Sequence, residues 1–430
     1  MKVLEFPLQH SIDEGRTPDS LTVMTQSPVP AAAPNYNRTM IACFVGYITQ
    51  AVINNYMPLL FVTFAATLGI DMARLSALIT VNFITQLVVD VLAGRFVDRI
   101  GYKPCIIAAH VSAAAGLLVL GLVPTRVSDP YWAILVAILL YALGGGLIEV
   151  MVSPIVEACP SEHKAKAMSL LHSFYCWGQL GTVVISTLFL WAFGTGTWPM
   201  LACLWAIVPL VGIVMFWSAP MPRIVPEGVA TMRLVDLAAK PVFYLLFVMM
   251  LCAGAAEQGM SQWASTFAET GLGVTKVVGD LAGPAAFALM MGLSRTIYGI
   301  LGHKLNLRAF IAGSSMLCVA TYLTAALTTS PVLGLVACAL TGFSVGIMWP
   351  GTFSLGADAM PGGGTLMFAL FAVAGDLGCA GGPAVVGFIA AANGNNLKAG
   401  LLFGSIFAVI LLVCVLIVRR ASVATASSHD

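Results

Sequence analysis

Charge is what this 430-residue sequence most lacks. Asp, Glu, Lys and Arg make up 9% of it and hydrophobic residues 59%, whereas a soluble domain carries about 25% charged residues. So few charges cannot cover a water-exposed surface of this size, and a bilayer is the solvent that tolerates such a chain. The net charge of +1 gives no electrostatic footprint for nucleic acid or an acidic partner. Paired cysteines are also missing. The 10 cysteines are scattered, none forms a Cys-x-x-Cys pair, and most lie in apolar runs. This argues against a disulfide framework or a zinc site and predicts buried, inert thiols. There is no His-Glu-x-x-His run and no Asp pair at metal-ligand spacing, so no enzyme chemistry, metal or cofactor is expected.

What is present is a series of long apolar runs. A membrane-spanning helix needs about 20 mainly apolar residues. Twelve segments qualify: 40–65, 74–95, 104–124, 131–153, 166–193, 197–218, 241–268, 280–301, 308–327, 331–354, 364–391 and 397–418. Loop signals such as Ser128-Asp129-Pro130 and Pro361-Gly362-Gly363-Gly364 separate them. Residues 1–39 are polar, with Pro28, Pro30 and Pro34 near their end, and read as a disordered cytoplasmic tail. The longest hydrophilic connection, 219–240, reads as a cytoplasmic linker between a six-helix bundle at 40–218 and a second at 241–418. Residues 419–430 read as a second tail. The expected fold is an all-α membrane protein with twelve transmembrane helices in two pseudo-symmetric six-helix bundles, monomeric in the lipid bilayer.

The basic residues set the orientation. With the N-terminus inside, only Arg74, Arg126, Lys276 and Lys398 of the 20 Lys and Arg fall on the outer side, and Arg295 falls within the eighth span. The positive-inside rule then puts both termini in the cytoplasm of a multi-pass cell-membrane (inner or plasma membrane) protein.

Between the second and third spans, Gly94-Arg95-Phe96-Val97-Asp98-Arg99-Ile100-Gly101-Tyr102-Lys103-Pro104 reads as a short loop. Its basic residues anchor that end, and Asp98 can pair with one of them or cap a helix. Gly94 and Gly101 permit close approach and a tight turn. The run resembles the Gly-x-x-x-Asp-Arg-x-Gly-x-Lys signature of the major facilitator superfamily. Gly302-His303-Lys304 looks like a decayed second copy, with Gly299 where the acid would stand. The resemblance implies a gate or latch for Gly94, Asp98, Arg99, Gly101 and Lys103, and two bundles rocking about a midplane site.

Ionisable and amide side chains inside spans are costly, which makes them functional candidates. In the fourth span Glu149 follows three glycines and lies one turn from Ser153. Ionising such an acid in the bilayer is costly, which suits a proton carrier or a hydroxyl acceptor; the competing reading is structural pairing. The outer part of the seventh span carries Glu257, then Gln258, Gln262, Ser265 and Glu269 at helical spacing on one stripe. Amides both donate and accept, which suits a polyhydroxylated solute, and Trp263 could stack on a sugar ring. The alternative is interhelical hydrogen-bonding glue. Tyr47, Gln50 and Asn54 share a face of the first span, His172, Tyr175 and Gln179 a face of the fifth, and Asn82, Gln86 and Asp90 lie in the second. Asp90 reads as a structural partner of the loop motif. Arg295 and Asp376 could form an interhelical ion pair. Trp349 joins the candidates from the tenth span.

Three blocks resemble the fucose:proton symporter group of that superfamily: Leu147 to Pro154, Leu170 to Gly178, and Trp349-Pro350-Gly351-Thr352-Phe353-Ser354-Leu355-Gly356. The resemblance implies that Glu149 is the proton and sugar partner. It also implies an acid four residues before Pro58, where this sequence has Asn54. Glu149 then acts alone, Glu257 substitutes, or coupling has changed. The expected function is secondary active transport of a small polar solute, a neutral sugar or polyol, with protons as coupling ion. Proton-driven efflux of drugs or metabolites and a non-transporting solute sensor are the alternatives.

Overall fold

A computed structural model describes residues 35–160, 164–222, 234–301, 306–360 and 363–426. Within them, twelve helices are long and apolar enough to cross a bilayer: α1 (Asn37–Leu68), α2 (Met72–Ala93), α3 (Tyr102–Arg126), α4 (Pro130–Ala158), α5 (Leu170–Phe193), α6 (Thr195–Ser218), α7 (Pro241–Ser261), α8 (Lys276–Tyr298), α9 (Leu307–Leu327), α10 (Pro331–Ala359), α11 (Leu366–Ala392) and α12 (Leu397–Val418). No strand occurs among the described residues. Helices bond every backbone N–H and C=O within one segment, which hydrocarbon demands. An even number of crossings puts the start of α1 and the end of α12 at one end of the bundle, called here the terminal face; the other end is the far face.

The packing repeats with a step of six helices. α1 packs on α4, α5 and α6 as α7 packs on α10, α11 and α12; α2 packs on α4 as α8 does on α10, and α3 on α4 and α6 as α9 does on α10 and α12. The halves meet chiefly through α2 on α11 and α5 on α8. Small residues set how close helices come. A Cβ added at Gly378 of α11 would overlap the Leu251 carbonyl of α7, the small-residue packing that brings membrane helices together without a hydrophobic driving force.

Several spans are interrupted, the first, seventh and tenth where polar residues gather. In α1 the α-helix stops at Asn55 and a 3₁₀ turn, Met57–Leu60, carries Pro58 before helix resumes at Phe61. Pro58 has no N–H to give the ladder. In α10 the helix breaks between Val345 and Met348. The seventh helix, expected to run unbroken over 241–268, ends at Ser261 and restarts as a short segment, Ala264–Thr266, followed by a π turn, Phe267–Gly271.

Other boundaries differ from expectation as well. The motif at 94–104 is not a loop: the second helix runs on to Ile100 and only Gly101, at φ +100°, turns the chain. That φ is strained for any residue with a Cβ, so one glycine replaces a loop. Residues 419–426, expected as tail, continue the last helix. Residues 1–34, 223–233 of the linker and 302–305 of the second motif copy lie outside the described residues, as do the surroundings of Gly94 and the side chain of Asp98.

Candidate functional site

The amides predicted on separate helix faces converge at mid-depth. Gln50 Nε2 of α1 donates to Gln86 Oε1 of α2 (2.6 Å) and to Glu149 Oε2 of α4 (2.8 Å). Asn54 Oδ1 accepts from Asn82 Nδ2 (3.1 Å) and Gln86 Nε2 (2.9 Å). Gln262 Nε2 donates to the Asn54 carbonyl (3.0 Å) and to Gln258 Oε1 (3.0 Å). Gln179 Nε2 of α5 donates to Ser261 Oγ (2.9 Å). These last links join the two halves directly. All seven of these amide side chains are buried, and in this conformation most of their polar atoms bond one another, Glu149 or Ser261, as buried polar groups favour. Gln50 Oε1 and Asn82 Oδ1 still lack partners.

Three carboxylates lie on the terminal-face side of this plug. Asp90 of α2, Glu149 of α4 and Asp376 of α11 each bring an oxygen within 4.8 Å of the others. Asp90 and Glu149 are half-buried and Asp376 is buried. Like charges at that separation cost about 3–4 kcal/mol per pair at an effective dielectric near 20, which favours states in which a proton or a positive charge offsets the repulsion. Asp90, expected to serve the loop motif, belongs to this group instead.

In the second half, Glu257 Oε2 faces Arg295 Nη2 at 3.6 Å. Arg295 was expected opposite Asp376. It misses Asp376 because α8 packs mainly on α5 and α10, whereas α11, which carries Asp376, packs on α2 and α7. Its Nε donates to the Gly346 carbonyl at the break in α10 (3.2 Å) and its Nη1 to the His172 carbonyl of α5 (3.5 Å). The guanidinium thus ties four helices together. The His172 ring packs on Tyr47 (5.4 Å between centroids), and the Tyr47 hydroxyl bonds Ser153 Oγ at 3.1 Å. The Tyr175 phenol lies beside the Asn54 and Asn55 amides.

The aromatic candidates separate. Trp349 lies against Gly375, next to Asp376, and is half-buried. Trp263 is wholly buried; its indole N–H donates to the Pro383 carbonyl (2.9 Å) and its ring packs on Phe61 (5.2 Å). A side chain so enclosed serves as packing between α1, α7 and α11 rather than as a platform in this conformation.

The stripe on the seventh span splits in two. Gln258 and Gln262 join the amide plug, whereas Ser265 and Glu269, beyond the helix break, turn to a second cluster at the far face. Lys276 Nζ lies 3.4 Å from Glu269 Oε1 and 3.1 Å from Asp280 Oδ2. It also donates to the Leu59 carbonyl in the first half (2.5 Å). Asp280, fully buried, accepts from Thr187 Oγ1 of α5 (3.0 Å) and from Ser265. Every residue from 49 to 61 in α1 and from 252 to 268 in and beyond α7 is buried. The far face is therefore sealed, with one lysine bridging both halves.

Sequence reasoning missed Asp376 as a partner of Glu149, and the Lys276 cluster altogether. Asn82, Gln86 and Asp90, one turn apart on α2, carried a legible signal. The run Gly342-Phe343-Ser344-Val345-Gly346 has the spacing of a hydrolase nucleophile turn. Ser344, however, is buried within a helix and donates to the Thr341 carbonyl (2.7 Å), not poised on a strand-to-helix elbow. Of the motif residues, Arg99 is exposed in the last turn of its helix, and Lys103 Nζ donates to the Ala219 carbonyl at the end of α6 (3.0 Å).

Comparison with known proteins agrees with this architecture. The sequence profile of the Major Facilitator Superfamily matches residues 39–383. No curated protein matches in sequence. Among solved structures, the E. coli fucose:proton symporter is similar at 18% identity and a TM-score of 0.64, covering 89% of this chain and 98% of that one. A bacterial homologue of the human lysosomal transporter Spinster, inward-facing and unoccupied, gives 14% identity and a TM-score of 0.74 over 91% and 98%. The nucleoside transporter NupG gives 13% and 0.67 over 88% and 99%. Twelve spans, packing that repeats after six helices, and a profile match across most of the length lead to one conclusion: this chain belongs to the major facilitator superfamily.

Proposed function

We propose that this protein moves a small polar solute, a neutral sugar or polyol, by alternating access coupled to protons, with both termini cytoplasmic. The observation that carries the reading is convergence: Gln50, Asn54, Gln86, Glu149, Gln258 and Gln262, from four helices of both halves, share one hydrogen-bonded network. Amides that bond one another can exchange those partners for sugar hydroxyls, since each both donates and accepts. Glu149 stands where the network meets the three-acid group, so hydroxyl binding and proton binding act on one side chain. Asn54, an amide where the symporter group has an acid, acts as the acceptor hub. Asp90 and Asp376 supply the additional carboxylates. Glu257 is held by Arg295, which leaves Glu149 as the coupling acid.

Transport then requires the far-face seal and the amide plug to open alternately with the terminal side. The test is uptake into proteoliposomes, using a sugar or polyol chosen from a panel by thermal stabilisation of the purified protein. Glu149→Gln should lose accumulation driven by a proton gradient and retain solute exchange. Undiminished accumulation in that variant would remove Glu149 from coupling. Outward movement of dyes with no sugar flux would favour the efflux reading.

A further inference from the structure

A feature on the lipid-facing surface is independent of the solute path. Between α3 and the end of α6 runs an open groove of about 900 Å³, lined by Lys103, Pro104, Ala108, Val111, Ser112 and Trp217. Pro104, Ala108 and Ser112 recur every fourth residue, so they line one face of α3 and leave it shallow. The Ser112 hydroxyl is turned away, donating to the Leu140 carbonyl of α4 (2.6 Å). Trp217, 72% exposed, overhangs the groove from α6.

The mouth of this groove is polar and positive. Lys103 is half-buried there, its ammonium held by the Ala219 carbonyl at 3.0 Å. An ammonium has three donors, and this bond uses one. The helix that begins at Tyr102 has Gly101 at its N-cap, with no side-chain cap. The N-terminus of this 21-residue helix therefore presents its positive dipole end at the same place, an arrangement suited to a phosphate. Arg99 is exposed two residues before Gly101. An amphipathic Trp beside a basic residue marks the interfacial depth of a membrane protein.

We propose that this groove binds one anionic phospholipid, its phosphate on Lys103 and the start of α3 and an acyl chain along Pro104, Ala108 and Val111 beneath Trp217. A zwitterionic lipid can fill the apolar part but brings a compensating positive charge to the mouth, so the site selects for net negative headgroups. Basic pockets between helices at an anionic leaflet bind lipid on the same physical grounds.

The test is native mass spectrometry of the purified full-length protein titrated with phosphatidylglycerol and with phosphatidylcholine of the same acyl chains. The parent should retain phosphatidylglycerol in preference. Lys103→Gln should weaken its binding about fivefold, the share of one basic side chain at an anionic surface, leaving phosphatidylcholine unchanged; Lys103→Arg should restore it. Ala108→Trp, which fills the groove without touching the charge, should weaken both lipids. Equal retention of the two lipids by the parent would overturn the proposal. So would a phosphatidylglycerol preference that survives both Lys103→Gln and Ala108→Trp, or displacement by glycerol 3-phosphate as effective as by the intact lipid.

Discussion

Two groups of acidic side chains lie at different depths of the same bundle, and they are balanced differently. At the far face, Glu269 and Asp280 share Lys276, which also reaches the Leu59 carbonyl in the opposite half. On the terminal side of the amide plug, Asp90, Glu149 and Asp376 gather within 4.8 Å, and among the described residues no Lys or Arg forms an ion pair with any of them. In the first group one lysine offsets part of the charge of two acids and ties them together. The second incurs a repulsion of about 3–4 kcal/mol per pair when fully ionised at an effective dielectric near 20, so protonation or a nearby positive charge relieves it. Under the proposed function, the first serves as a latch and the second as a loading point.

Removing the cation from the first group should have the largest structural effect. Lys276→Met leaves a buried Asp280 and Glu269 uncompensated, a loss of about 3–5 kcal/mol for buried pairs. It should lower the thermal stability of the sealed state and raise the labelling of a Thr266→Cys reporter by a membrane-impermeant maleimide. Thr266 is 2% exposed at that end, and unchanged labelling would mean that Lys276 does not hold the seal. The same loss of charge in the second group should do the reverse. Asp376→Asn removes a repulsion, so the protein should gain thermal stability while gradient-driven uptake falls by at least tenfold, the equivalent of about 1.4 kcal/mol. A destabilised Asp376→Asn with normal uptake would make the three acids an ordinary structural cluster.

A neutral cross-half link should matter less than either. Gln262→Leu deletes the donor to the Asn54 carbonyl and should cost about 1–2 kcal/mol, seen as a weaker solute-induced shift in melting temperature. The smallest effect belongs to Arg74, whose bridge to Asp71 at 3.9 Å is exposed at 56% and 64%. Arg74→Ala should change stability by under about 0.5 kcal/mol. A larger loss there would show that exposure is not what separates the latch from the surface pair.

How much of this was legible in the sequence depends on what each feature rests on. The twelve spans were readable because each is a local apolar run, although helices run beyond the expected apolar runs at several ends, by eight residues at the last. The amide faces of α1, α2 and α5 were readable because helical spacing alone aligns Gln50 with Asn54 and Asn82 with Gln86. The stripe on the seventh span failed at the point where the helix does: once it breaks at Gln262, spacing no longer places Ser265 and Glu269 beside Gln258. Trp263 looked like a stacking platform because composition does not reveal that Pro383 and Phe61 enclose it. Asp376 could not be joined to Glu149, nor Arg295 to Glu257, because those meetings depend on which helices pack together, and no periodicity within one helix encodes that. The lysine at the far face looked like one of four minority charges on the wrong side of the positive-inside count, whereas its role lies in reaching across to Leu59.

The most direct test of the contrast is to follow protons and solute together. Proteoliposomes in lightly buffered medium receive a sugar or polyol that stabilises the purified protein, and external pH is recorded as the solute enters. The account predicts that entry makes the medium more alkaline in the parent and in Arg74→Ala, and that Glu149→Gln exchanges solute with no pH change. Solute entry by the parent without any proton movement would contradict it.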